Sequence, residues 1–112
     1  LRSFPELVFI GHGPLVWQHV APERGAGRLG ATYRLLSEYP NLHIDTSAAS
    51  GFRALSRDPA FTRDLLSRFS HKVLFGSDNR LLGQLEFLRS LGLASDDLDR
   101  ILGGNACRLV GQ

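Results

Sequence analysis

Three ionisable residues recur at one interval: His12, Asp45 and Asp78 lie 33 residues apart in turn, each just past a short apolar run. His12 stands in Phe9-Ile10-Gly11-His12-Gly13-Pro14. Flanking glycines let backbone approach a ligand closely, and imidazole titrates near neutrality, so His12 could transfer a proton. It reads equally well as a turn histidine satisfied by backbone carbonyls. Asp78 ends Val73-Leu74-Phe75-Gly76-Ser77-Asp78. A carboxylate directly after a buried strand is costly unless paired, hydrogen-bonded or metal-bound, which favours a functional role over a helix N-cap near Leu81. Asp45-Thr46-Ser47 is less decisive. Asp45 could cap a helix, pair with an Arg or line a site, and Thr46 and Ser47 could hold a substrate or form an Asx-type turn. Asp45 and Ser47 are the candidate substrate-binding residues.

The elements that must position these groups follow from the apolar pattern. Leu7–Ile10, Leu42–Ile44 and Lys72–Phe75 are near-continuously apolar, as strands covered on both faces are. Between them, Leu29, Tyr33 and Leu36 mark one helix, stopped by Pro40. A second begins with Asp58 as N-cap and Pro59 at the first position, with Phe61, Leu65 and Phe69 inward. Leu81, Leu85 and Leu88 mark a third, ending near Gly92. A last helix follows Ser95, with Leu98, Ile101, Leu102 and Leu109 inward, interrupted at Gly103-Gly104 into two pieces or a kink. The order β-α-β-α-β-α-α predicts an α/β fold with a parallel sheet and right-handed crossovers. A βα unit of about 30 residues is the repeat of a (β/α)8 barrel, whose strand ends carry the active site. A doubly wound sheet would give a similar period.

Composition narrows the function classes. The apolar runs are far shorter than the roughly 20 residues of a membrane helix, and no signal peptide is visible. Twelve of the thirteen basic residues are Arg, spread without a block, and the net charge is only +2, which argues against nucleic acid or membrane as partner. One cysteine excludes a disulfide scaffold and fits a cytoplasmic setting. Cys107 falls inside a helical stripe, beside Ala106, and is expected in the core rather than as a nucleophile. His19, His43 and His71 lack metal-type spacing and are expected at the surface or flanking strands. Gly25–Gly30 matches G-x-G-x-x-G, but Val20–Arg24 before it is no strand, so a dinucleotide fingerprint is not expected. Ser77 lacks the G-x-S-x-G context of a hydrolase elbow. With no Met, the 112 residues are expected to be a processed product or part of a longer protein.

Taken in order, Phe4–Gly13, Tyr39–Ser47, Lys72–Asp78 and Gly104-Asn105-Ala106-Cys107-Arg108-Leu109 resemble the amidohydrolase-related family of metal-dependent TIM-barrel hydrolases and decarboxylases. The resemblance runs through all 112 residues and places the strands as the last three of the barrel. It implies that residues 1–112 are the C-terminal part of one barrel domain, the last three βα units, with the N-terminal units missing. It also implies Asp78 as metal ligand and proton acceptor, and His12 as the histidine that polarises the substrate or orients water. A divalent metal, zinc by default where His ligands dominate, would activate that water. The attack would fall on a C–N, C–O or lactone-type bond of a small molecule, or the site would perform a non-oxidative decarboxylation. The H-x-H or E-x-H pair and the further His that complete the family's ligand set have no counterpart here, and Asn79-Arg80 stand where an aromatic residue and Pro usually follow. Alone, the chain is therefore expected to be inactive, and unstable or self-associating through its open strand edge; homo-oligomerisation stays open. The alternatives are a small non-enzymatic α/β binding module or a degenerate barrel without metal, and a doubly wound nucleotide binder using Gly25–Gly30.

Overall fold

A computed structural model describes residues 1–19, 30–78 and 82–111. Strand β1 (Phe9–Gly11) is followed by helices α1 (Pro14–Gln18) and α2 (Ala31–Glu38). Then come β2 (Leu42–Asp45), α3 (Ala48–Ser56), α4 (Pro59–Arg68) and β3 (Val73–Leu74). Helices α5 (Gln84–Ser90), α6 (Ser95–Asp99) and α7 (Asn105–Leu109) complete the chain, the last two joined by a π-helical turn over Arg100–Gly104. The strands form one parallel sheet in the order β1-β2-β3, with Phe9 opposite Leu42 and Ile44 opposite Val73. The architecture is α/β, that of three consecutive βα units of a (β/α)8 barrel, so all three strands point their carboxyl ends the same way.

Most of the expected stripe residues form the core, with Leu85 and Leu109 outside it. Tyr33 and Leu36 of α2 and Leu65 and Leu66 of α4 pack with Phe69 onto Ile44 and Val73, and Leu88 and Ile101 join them. Asp58 caps α4 through its side chain, which accepts from the Phe61 N–H at 3.1 Å, with Pro59 at the first helical position. Leu29 and Leu81, expected on inward faces, lie outside the described residues, as does Gly25–Gly30 apart from Gly30, the N-cap residue of α2.

Several local expectations are corrected. β1 begins at Phe9, and Leu7 and Val8 lie outside it, half exposed. The cause is Asn41, whose side-chain N–H groups are shared among the carbonyls of Leu1, Phe4 and Leu7, holding those residues in turns rather than extended backbone. β3 begins at Val73, and Lys72 lies just before it, buried. Its Nζ donates to the Leu36 and Tyr39 carbonyls, satisfying the C-terminal end of α2 with a cation. Burial pushes the Lys72 ammonium below its usual range. His43 is not a surface residue: it lies within β2, buried, and desolvation followed by the nearby Arg108 and Lys72 lowers its pKa. Cys107 is exposed rather than in the core. Asn105 occupies the inward position, and two residues further on the helix has turned by about 200°. The interruption expected at Gly103-Gly104 is present: the pair lies in the π-helical turn that separates the two short helices α6 and α7.

The two edges of the sheet differ. Residue 73 and residue 75 turn their backbone groups away from β2, and the C-terminal helical segment takes them up. The Phe75 N–H donates to the Ile101 carbonyl at 2.9 Å. The Asn105 side chain donates to the Val73 carbonyl at 2.8 Å and to the Ser70 carbonyl at 2.6 Å. No comparable cover lies along the outer side of β1 among the described residues, where Ile10 is half exposed.

Candidate active site

The sheet brings the carboxyl ends of β1 and β2 side by side, and with them His12 and Asp45. His12 follows β1 and precedes Gly13, whose φ of 88° turns the chain sharply into α1, a conformation glycine adopts without steric cost. Asp45 is the last residue of β2. The His12 Nδ1 lies 2.9 Å from Asp45 Oδ2 and 3.1 Å from Oδ1. With the carboxylate ionised, Nδ1 carries the proton and donates, which leaves Nε2 to accept or deliver a proton. The imidazole is 51% exposed and the carboxylate 17%, so the partner is the more firmly held of the two. Asp45 is in turn fixed by the Ser47 backbone N–H, which donates to Oδ1 at 3.0 Å and closes an Asx-type turn.

This pairing raises the His12 pKa above its ordinary 6.5. The hydrogen bond to Asp45 is the largest cause and the Asp45 charge the next; Asp78 adds a smaller Coulombic pull in the same direction. Both carboxylates of the 33-residue series therefore act on His12 at the same end of the sheet. Asp78 is exposed and does not cap the next helix, whose N-cap is Gly83. Its φ is 51°, and Ala48, at the start of α3, has φ 64°. Left-handed backbone is tolerated by Asp but uncommon for Ala, so the turns after β2 and β3 both hold backbone away from its easiest conformation.

Ser47 is buried rather than facing solvent. Its hydroxyl lies so near Gly76 that a side chain there would collide with it. Thr46, fully buried, accepts the Gly76 N–H at 3.4 Å through its hydroxyl. These contacts tie the end of β2 to the loop that carries Asp78. The pairing of Asp45 with a histidine was not among the roles its sequence context suggested. The shared strand-end position one repeat apart was the signal that could have found it.

A catalytic metal needs about three protein ligands. Among the described residues no group of three His, Cys, Asp or Glu side chains could hold one. His12 Nε2 and the Asp78 carboxylate are the open donors here, since Asp45 is engaged by His12 and the Ser47 N–H. These residues do not by themselves fit a metal site.

The three parallel βα units carry ionisable residues at the carboxyl ends of their strands, the end at which barrel enzymes place their active sites. A family model described as amidohydrolase matches residues 1–112, and the chain belongs to the amidohydrolase family. No curated protein and no solved structure matches it. Among the described residues no helix is long and apolar enough to cross a membrane.

Proposed function

We propose that the chain supplies the proton-handling part of a hydrolase or non-oxidative decarboxylase acting on a small molecule, with His12 as the group that holds and transfers the proton. The observation that carries this reading is the His12 Nδ1–Asp45 contact at 2.9 Å. Asp45 fixes the tautomer and ring orientation and stabilises the imidazolium, so that Nε2 faces the reacting group in a defined protonation state. In hydrolysis that nitrogen would take the proton of an attacking water and return it to the leaving group. In decarboxylation it would deliver a proton to the carbon that loses CO2. Asp78 stands as the second carboxylate, close enough to favour the charged imidazole. The zinc that the family resemblance suggests is not assigned to these residues, and no step is routed through it. The family match and the strained turns at the strand ends support the reading.

Asp45→Asn tests it. In the protein carrying this chain, assayed for hydrolysis of lactones and amides and for CO2 release from carboxylic acids, the change is expected to cost about 10²–10⁴-fold in turnover, the usual contribution of a general acid–base group. The His12 pKa, followed by NMR, is expected to fall at the same time. Full activity with a lowered His12 pKa would overturn the assignment of His12 as proton carrier.

The same pairing makes stability pH-dependent. A histidine whose folded pKa is raised contributes stability that is fully present below the unfolded value of 6.5 and is lost as pH rises through the folded value. Denaturant midpoints are therefore expected to decline on going from pH 6 to above the folded His12 pKa, and this component of the decline should disappear in Asp45→Asn.

A further inference from the structure

Helices α1 and α3 lie in the connections after β1 and β2, and pack against each other beyond the carboxyl ends of the strands. Between them is a groove of about 280 Å³ lined by Pro14, Trp17 and Gln18 on one wall and Ser50, Arg53, Ala54 and Arg57 on the other. Arg53 of α3 and Arg57, its C-cap in helical backbone, are one turn apart, so their side chains leave the same face. Among the described residues neither has an ion-pair partner and no acidic side chain lines the groove. Two like charges at this spacing repel unless an anion joins them.

A second observation comes from the opposite wall. Trp17 is 3% exposed, and its indole N–H has no hydrogen-bond partner among the described residues. That nitrogen is closed to solvent and lies against Gly51 of α3, so Trp17 brings apolar surface rather than a donor to the groove.

We propose that this groove binds a small organic carboxylate. The two arginines would take the carboxylate through their planar forks, which match its geometry better than any other cationic side chain. Pro14, Trp17 and Ala54 offer an apolar wall for the body of the acid, which favours an organic acid over a bare oxyanion. The volume lies just under the roughly 300 Å³ at which small-molecule pockets begin, so the acid is of single-ring size. This inference stands apart from the proton-carrier reading: it concerns binding, and its test reads no turnover.

Trp17 is the only tryptophan, so its emission reports on the groove directly. Benzoate titrated into the chain is expected to give a saturable change in that emission, weakened by salt. Benzyl alcohol, which has the ring without the charge, is expected to give none, and inorganic phosphate to bind at least tenfold more weakly. Arg53→Gln and Arg57→Gln are each expected to weaken benzoate binding tenfold or more with an unchanged far-UV circular dichroism spectrum. Gln18→Glu, which leaves α3 untouched and sets a negative charge on the facing wall, is expected to do the same. No saturation with benzoate, an equal response to benzyl alcohol, phosphate binding as tight as benzoate, or undiminished binding in all three variants would each overturn the proposal.

Discussion

Replacing Gly51 with alanine is expected to destabilise the protein by about 2 kcal/mol, although in an ordinary helix interior the same change stabilises by about 1 kcal/mol. Gly51 sits within α3, and a Cβ there would stand 2.8 Å from the Thr46 carbonyl oxygen, 3.0 Å from its carbon and 3.1 Å from the Trp17 indole nitrogen. Two of these three neighbours are backbone, which cannot swing aside as a side chain would. Relief requires α3 to retreat from the end of β2, and Thr46 is fully buried there. The propensity gain is present but the steric cost exceeds it. Thermal unfolding should show the midpoint lowered by about 10 °C, at the several degrees per kcal/mol usual for a domain of this size. Trp17 emission in the folded state should shift as well, because the indole loses its close packing on Gly51. A midpoint equal to or above that of the parent would show that α3 does not approach β2 this closely.

The second large effect is expected at Asn105. Its side chain is 2% exposed and its amide donates to two carbonyls, Ser70 and Val73, on either side of the turn into β3. Asn105→Ala leaves both acceptors without that donor and opens a void, at a cost of about 3 kcal/mol when unmet hydrogen-bonding groups are counted at 1–3 kcal/mol each. Asn105→Asp should be worse, although it changes a single group. The carboxylate has the shape of the amide but no donor, and it would set negative oxygen against two carbonyl oxygens. Urea unfolding of the three proteins should rank Asn above Ala above Asp at neutral pH, with the Asp variant recovering partly in acid as its carboxyl becomes a donor. An Asp variant as stable as the parent would contradict this account of Asn105.

The order of strands and helices was legible because its signals are local. Asp58-Pro59 marks a helix start by its own chemistry, and Phe61, Leu65 and Phe69 recur at the helical period, so α4 stands where expected. The recurrence of His12, Asp45 and Asp78 was legible for a similar reason, since parallel βα units place equivalent residues at equivalent strand ends. What sequence could not show depends on contacts between distant segments. The capture of the Leu7 carbonyl by Asn41 makes β1 begin late, and nothing in Leu7-Val8-Phe9-Ile10 distinguishes the residues lost from those kept. Helices α1 and α3 were not anticipated: α1 has five residues and too short an apolar period, and α3 starts from Ala48 in a backbone conformation that alanine seldom takes. Lys72 looked like a strand residue and is instead a cap on α2, some 36 positions away from the Leu36 carbonyl it satisfies.

The unequal edges of the sheet set how far strand-mediated self-association can run. A filament needs two different, complementary faces on each copy, because every addition must expose a fresh acceptor for the next. Here Asn105 and the Ile101 carbonyl already occupy the backbone groups that β3 turns outward, leaving β1 as the one edge open to pairing among the described residues. Two copies joined through β1 would pair by a twofold axis, antiparallel, and each would use up the edge of the other. The assembly would close at two. Association of this chain is thus expected to saturate as a dimer with rising concentration, and opening the C-terminal cover through Asn105→Ala is expected to convert that closed pair into open-ended polymer.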